Sequence, residues 1–514
     1  MVGTDTTHPI SIEALARILG AAVTRRATPG GVETTVPHIT GVSTDSRTIN
    51  AGDCFFAIAG DNFDGHNYVA EVFHKGAACA VVCRPVNGEP IAGPILRVPD
   101  TIRALGDLAH EYRRTHPFTV VAITGSVGKT TTRQIIHHVL SRRFRTHQAK
   151  KSFNNNIGLP LTLLSADPQD EVIVAELGAN HPGEIACLTR IAQPNIAVVT
   201  NAHPAHLEGF GDLATIVREK LSIAEGLASD GALIINSDIE PLVAAARSSA
   251  MIRGEGVSPL RPAGILPAIR GRDALDTKEQ GQDALATRGR RFYTFGKSAD
   301  ATYRAERIVC EALHSTFTIN GTQVRLPLPG PGNVENALAA WAVCDQLGVT
   351  AESFAEVVAS LQGVAMRAEP VQIGTLTVLN DCYNANPASM KNALAMLGNL
   401  RSAANGKQNR RLVFVCGEMA ELGPQTKSLH AELGATVAET GVDLLVTIGE
   451  SPRVTARAAQ EATRRSLQVQ CFDDAASACD RLRELIREND IVLVKGSRMA
   501  RLERVVERLI KDYG

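Results

Sequence analysis

Residues Phe118 to Thr131 constrain this chain more than any other segment. Phe118–Thr124 (FTVVAIT) is an apolar, β-branched run suited to a buried strand. Gly125-Ser126-Val127-Gly128-Lys129-Thr130-Thr131 follows at once, and Thr130 to Leu140 has helical spacing. Strand, glycine turn and helix are the context in which such a loop cradles phosphate. Gly125 and Gly128 let the backbone turn its N–H groups toward phosphate oxygens, and the helix N-terminus adds a favourable dipole. Lys129 is placed to reach the β- and γ-phosphates, and the Thr130 hydroxyl to bind Mg²⁺. Ile123 stands where the longer G-x-x-x-x-G-K-[ST] pattern has its first glycine, so this is a shorter G-x-x-G-K-T variant.

Further buried-strand runs occur at 172–175, 196–200 and 232–235, with helical patterns between them. This alternation predicts βαβ units and a mostly parallel sheet. Before it, helical spacing at 10–19, short strands at 78–83 and 95–98, and a helix over 101–114 predict a small α/β unit. After 366, strands at 376–379, 412–416, 444–448 and 491–494 and helices at 481–487 and 502–510 predict another open α/β sheet. The fold class is therefore α/β in three domains, bounded at 1–116, 117–365 and 366–514. Residues 254–291, rich in Gly, Pro, Arg and Asp and lacking an apolar face, are expected to form a disordered or loosely structured insertion.

Two strand ends carry candidate chemistry. Glu176 closes the run at 172–175, where open α/β sheets bind ligands, and is placed to hold Mg²⁺. After the run at 196–200 come His203, His206 and Glu208; without a Cys cluster or third strong ligand, Mg²⁺ is favoured over zinc. Lys220, on a predicted helix, reads by itself as a solvated surface charge.

Taken together, these segments resemble the Mur ligases, ATP-dependent amide-forming enzymes of peptidoglycan precursor synthesis. The resemblance rests on Lys151–Thr162, Glu176–Ile185, His206–Gly211, Asn380–Pro387 and Gly417–Gly423, and spans nearly the whole chain outside 254–291. Glu-Leu-Gly-Ala-Asn-His (176–181) and Tyr-Asn-Ala-Asn-Pro (383–387) look like the family member that joins D-alanyl-D-alanine to UDP-N-acetylmuramoyl-tripeptide. It implies a UDP-sugar domain, a central ATPase domain and a C-terminal Rossmann-like domain. It implies ATP contacts at Gly125 to Thr131, Asn333, Asn336, Arg367 and Asp381, with Gly332 standing where the family often has His.

By the same resemblance, Lys129, Glu176, His206 and Lys220 are catalytic. Thr130, Glu176 and His206 bind metal, two Mg²⁺ in all, and Lys220 matches a lysine that is carbamylated in related ligases. Substrate contacts are implied at Ser43, Thr44, Asp45, Ser46, Arg47 and Asp64, whose hydroxyls and guanidinium suit a uridine diphosphate. Others are implied at Asn154, Asn155, Asn180, Tyr383, Asn384, Asn386, Lys495 and Arg498.

Composition bears on partners. Lys+Arg is 53 and Asp+Glu 54, a net charge of −1, and aromatics are 4%, which argues against nucleic acid or an anionic membrane surface as ligand. The ten cysteines form no C-x-x-C pair and are expected to be reduced thiols, mostly in cores. No apolar run nears the length of a spanning helix and the first residues lack a signal layout, so a soluble, cytoplasmic protein is expected. A monomer is expected as well. The alternatives are another amide ligase of the family, such as the tripeptide-forming enzyme or a folylpolyglutamate synthase, and a regulatory P-loop NTPase.

Overall fold

The capping chemistry of the helices is readable residue by residue. Ser11 accepts the Ala14 N–H to start helix α1 (Ile12–Leu19), and Gly20, in the left-handed conformation, ends it. This is a computed structural model, which describes residues 10–24, 38–86, 93–150, 152–248, 290–311, 313–403 and 410–514.

The first unit is a five-stranded sheet of β1 (Ala22–Thr24), β2 (Gly41–Ser43), β3 (Asp53–Phe56), β4 (Cys79–Val82) and β5 (Ile95–Arg97), ordered β1-β5-β4-β3-β2. Only the β1 edge is antiparallel. Helix α2 (Thr101–Thr115), capped by Asp100, fastens this unit to the next. Its Tyr112 hydroxyl donates to the Ala166 carbonyl at 2.7 Å, and Arg113 donates to Asn195 Oδ1 at 2.9 Å.

The second unit holds a seven-stranded parallel sheet. Its strands are β6 (Thr119–Thr124), β7 (Thr146–Gln148), β8 (Val172–Glu176), β9 (Ile196–Val199), β10 (Ala232–Asn236), β11 (Arg291–Gly296) and β12 (Tyr303–Arg304). The order is β7-β8-β6-β9-β10-β11-β12. Ile123 pairs with Glu176 on one side and Thr124 with Val199 on the other. The chain turns out of β6 into helix α3 (Lys129–Leu140) between those two strand ends. Both faces are covered, so β6, β8 and β9 read as continuous apolar runs rather than alternating ones.

The third unit is a six-stranded sheet: β13 (Glu369–Ile373), β14 (Leu376–Asp381), β15 (Leu412–Cys416), β16 (Leu444–Ile448), β17 (Gln468–Phe472) and β18 (Ile491–Lys495), ordered β13-β14-β18-β15-β16-β17. All its pairings are parallel except β13 with β14. The chain is thus a three-domain α/β protein with mostly parallel sheets.

Strand assignments from sequence agree to within two residues. The helix expected from Ile10 starts at Ile12, because Ile10 and Ser11 pair with Ile39 and His38. The expected insertion lies outside the described residues over most of its length, but its last residue, Arg291, opens strand β11 beside Ala232. All ten cysteines are free and five of them are buried, so fewer sit in cores than expected. Among the described residues, no helix is long and apolar enough to cross a membrane.

Candidate functional site

The phosphate loop is shaped by two glycines and held from behind by the loop after β9. Gly125 has φ +148 and Gly128 φ +88; a Cβ on Gly125 would stand 2.0 Å from Thr200 Oγ1. Asn201 accepts from the Val127 N–H at 2.9 Å and donates to the Val127 carbonyl at 3.1 Å, while Thr200 Oγ1 donates to the same carbonyl at 2.6 Å. Ser126 Oγ donates to the His203 carbonyl at 2.8 Å. A turn whose own N–H groups must face a phosphate needs such outside partners for its remaining polar groups.

This loop borders a cavity of about 490 Å³. Gly125 to Thr131, Asn154, Asn155, Glu176, Asn180, His206, Lys220, Asn333 and Asn336 line it from the central domain. Arg367, Asp381, Tyr383, Asn384, Asn386 and Lys495 line it from the C-terminal domain. Arg498 does not; it pairs with Glu503 at 3.3 Å. Ser43, Thr44, Asp45, Ser46, Arg47 and Asp64 lie apart, in the N-terminal domain. There Arg47 binds Asp45 through two hydrogen bonds of 2.8 and 2.6 Å, and Asp64 holds His66 Nδ1 at 2.7 Å.

Within the cavity, Lys129 Nζ donates to the Gly125 carbonyl at 2.6 Å, and desolvation lowers its pKa to about 8. Thr130 Oγ1 donates to Glu176 Oε2 at 3.3 Å and accepts from Arg367 Nη2 at 3.3 Å. Arg367 also stacks over the Tyr383 ring, 4.1 Å from its centroid. Met366 and Ala368, on either side of it, have φ +58 and +52, a left-handed pair that aims the guanidinium back across the domain boundary. Asn386 Nδ2 reaches the Ser126 carbonyl at 3.5 Å. Lys495 is buried against Asp381 Oδ2 at 2.7 Å and donates to the Asn384 carbonyl at 3.0 Å.

Asn336 donates to Asn333 Oδ1 at 3.3 Å, and Asn333 in turn to the Pro329 carbonyl at 2.7 Å. Where a side chain at Gly332 would project, Asn392 Nδ2 stands 2.9 Å from the Cβ position.

Lys220 corrects the reading of a surface charge. It is 3% exposed, at the end of helix Leu213–Leu221, with its Nζ over the Phe210 ring at 5.4 Å. Burial, aided by the nearby Lys129 cation, lowers its pKa to about 7. The adjacent Glu219 points elsewhere and accepts the Gly183 and Ile185 N–H groups at 2.7 Å each.

Glu176 is buried, and among the described residues its Oε1 has no hydrogen-bond partner, only Arg133 Nε at 3.4 Å. Thr130, Glu176 and His206 supply oxygen and imidazole donors to the cavity lining. Among the described residues no three His, Cys, Asp or Glu side chains make a closed metal cage. An open, oxygen-rich set fits Mg²⁺, which keeps waters and substrate phosphates as ligands, and does not fit structural zinc.

Sequence reasoning passed over Arg133, Thr200, Asn201, Phe210 and Glu421. Arg133 follows Lys129 by one helical turn, a spacing that could have flagged it. Glu421 faces His206 from another domain, and no spacing rule predicts that.

Residues 38–113 match the Mur ligase family catalytic domain, 123–253 the Mur ligase middle domain and 366–498 the Mur ligase glutamate ligase domain. The UDP-N-acetylmuramoyl-tripeptide–D-alanyl-D-alanine ligase of Bacillus subtilis strain 168 is 32% identical over 93% of this chain and 94% of that one. The enzyme of the same name from Escherichia coli K12 is 32% identical over 91% and 93%. A crystal structure of MurF from Acinetobacter baumannii superposes with a TM-score of 0.80 at 29% identity, covering 99% of this chain and 100% of that one. With its phosphate loop, its interdomain cavity and three domains each matched in order, the chain belongs to the Mur ligase family of ATP-dependent, amide-forming ligases.

Proposed function

We propose that this ligase joins D-alanyl-D-alanine to UDP-N-acetylmuramoyl-tripeptide, consuming ATP and releasing ADP and phosphate. The observation that carries the reading is one cavity bordered both by the phosphate loop and by Arg367, Tyr383, Asn384 and Asn386 of the last domain. The names of the relatives supply the substrates. The domains run over 1–116 for the UDP-sugar, 117–365 for ATP and 366–514 for the dipeptide.

A carboxylate is a poor acyl donor. Its oxygen attacks the γ-phosphorus, ADP leaves, and an acyl phosphate forms. The dipeptide amine attacks the acyl carbon, and the tetrahedral adduct expels phosphate. Lys129 neutralises charge on the phosphoryl oxygens, and the N–H groups of Gly128, Lys129 and Thr130 at the helix start hold them in place. Arg367 and Asn386, reaching across to Thr130 and Ser126, tie the last domain to the nucleotide and exclude water, which otherwise hydrolyses the acyl phosphate. Thr130, Glu176 and His206 would hold the Mg²⁺ ions, which when bound stabilise the charge that develops in phosphoryl transfer.

Lys220 fits a carbamate. At neutral pH its buried amine is partly unprotonated, so Nζ attacks the carbon of CO₂ and releases a proton to solvent, giving an anion facing the cation site. The test of the reaction is phosphate release with ATP, Mg²⁺ and UDP-N-acetylmuramoyl-tripeptide. Release is expected only when D-alanyl-D-alanine is added; release indifferent to the dipeptide sinks the assignment.

A further inference from the structure

Glu421 lies in the loop after β15 of the C-terminal domain, 215 positions from His206, yet its carboxylate meets His206 Nδ1. The contact has a second point: the Glu208 N–H donates to the Glu421 carbonyl at 3.2 Å. Both backbones are built for it. His206 has φ +53 and Glu421 φ +61, left-handed positions that non-glycine residues seldom adopt. The loop is not loose: the Ser497 N–H donates to the Glu418 carbonyl at 2.8 Å, and the Met419 N–H donates to the buried His430 ring at 3.4 Å. His206 lines the cavity and Glu421 does not, so the carboxylate reaches the ring from outside it.

We propose that Glu421 is a positioning residue for His206, and that it sets the imidazole for a divalent cation in the cavity. An imidazole whose Nδ1 faces a carboxylate donates its proton there and keeps its lone pair on Nε2. Among the described residues no protein group hydrogen-bonds to Nε2. The carboxylate fixes the ring's tautomer and rotation and raises the basicity of Nε2, as outer carboxylates do behind metal-bound histidines. A plain surface ion pair is the competing account. With side chains 27% and 47% exposed, such a pair contributes little to stability and nothing to cation affinity.

The inference rests on the cation site proposed above, and the experiment separates the two. Mn²⁺ alone is titrated into the full chain in bicarbonate buffer, with free Mn²⁺ followed by electron paramagnetic resonance. The variants are Glu421→Gln, Glu421→Asn and His206→Ala; asparagine tolerates the left-handed backbone, and glutamine keeps the shape without the charge. Both Glu421 variants are expected to raise the Mn²⁺ Kd, Glu421→Asn by about 10-fold or more and Glu421→Gln by less, with unchanged unfolding transitions. If His206→Ala weakens Mn²⁺ and both Glu421 variants bind as wild type does, Glu421 is only an ion-pair partner and the inference falls while the cation site stands. If His206→Ala leaves Mn²⁺ binding unchanged, the cation site itself is wrong and the inference falls with it.

Discussion

Arg133 Nε stands 3.4 Å from Glu176 Oε1, and the two side chains are 3% and 1% exposed. The guanidinium comes from the second turn of the phosphate-loop helix and also donates to the Ala149 carbonyl at 2.8 Å. The helix that presents Lys129 to phosphate therefore also carries the counter-charge of the acid behind it. Removing one partner of a buried pair leaves an uncompensated charge. Arg133→Met is expected to cost about 3–5 kcal/mol of stability by this argument, and Arg133→Lys less. Urea denaturation of both variants checks this; equal midpoints for Arg133→Met and wild type refute it.

Gly128 caps the same helix at φ +88, and a Cβ there would stand 2.0 Å from Asn336 Oδ1. Gly128→Ala must strain the turn, push Asn336 aside, or both. ADP affinity by calorimetry is expected to fall at least ~10-fold, since strain of about 1–2 kcal/mol adds to the displaced side chain. Far-ultraviolet circular dichroism should stay native, because the strand and helix flanking the loop are packed independently of it.

Lys220→Met is expected to reduce turnover on the order of 10²-fold or more, the loss seen when a charged group aimed at the transition state is removed. Wild-type protein in ¹³C-bicarbonate should show a carbamate resonance that the variant lacks. A wild-type spectrum without that resonance counts against carbamylation.

Acid should weaken the C-terminal domain through His430. Thr455 Oγ1 donates to the His430 carbonyl at 2.9 Å, so it accepts from Nδ1, also at 2.9 Å. Nε2 is then the acceptor for the Met419 N–H at 3.4 Å, and protonation there breaks that bond. Burial pushes the ring's pKa down to about 4 from the ordinary 6.5. Between those values the unfolded chain binds a proton that the folded chain does not, so stability rises with pH across that window. The contribution is complete above about pH 6.5 and lost as pH falls through about 4, at most about 3 kcal/mol. Urea midpoints measured across this range should slope less for His430→Gln than for wild type; parallel slopes refute the assignment.

Much of this architecture is legible along the chain. Strands β6, β8, β9, β15, β16 and β18 are buried on both faces, and a strand buried on both faces must be a continuous apolar run. The phosphate loop is equally plain, because its glycines, lysine and threonine act within a few residues of one another. Lys220 is flagged only by the family resemblance: helical spacing cannot tell a solvated lysine from one buried against Phe210.

The division follows how far each interaction reaches along the chain. Caps, turns, strand runs and the phosphate loop are local chemistry, set by neighbours within a turn or two, and amino-acid order alone dictates them. The cavity is different. Thr130 with Glu176 and Arg367, Ser126 with Asn386, and His206 with Glu421 are pairs 46 to 260 positions apart. Those pairs exist only because parallel strands bring their carboxyl ends to one edge and the last domain docks there, so the packing of the central and C-terminal domains, beyond what any motif dictates, decides which distant side chains meet around the cavity.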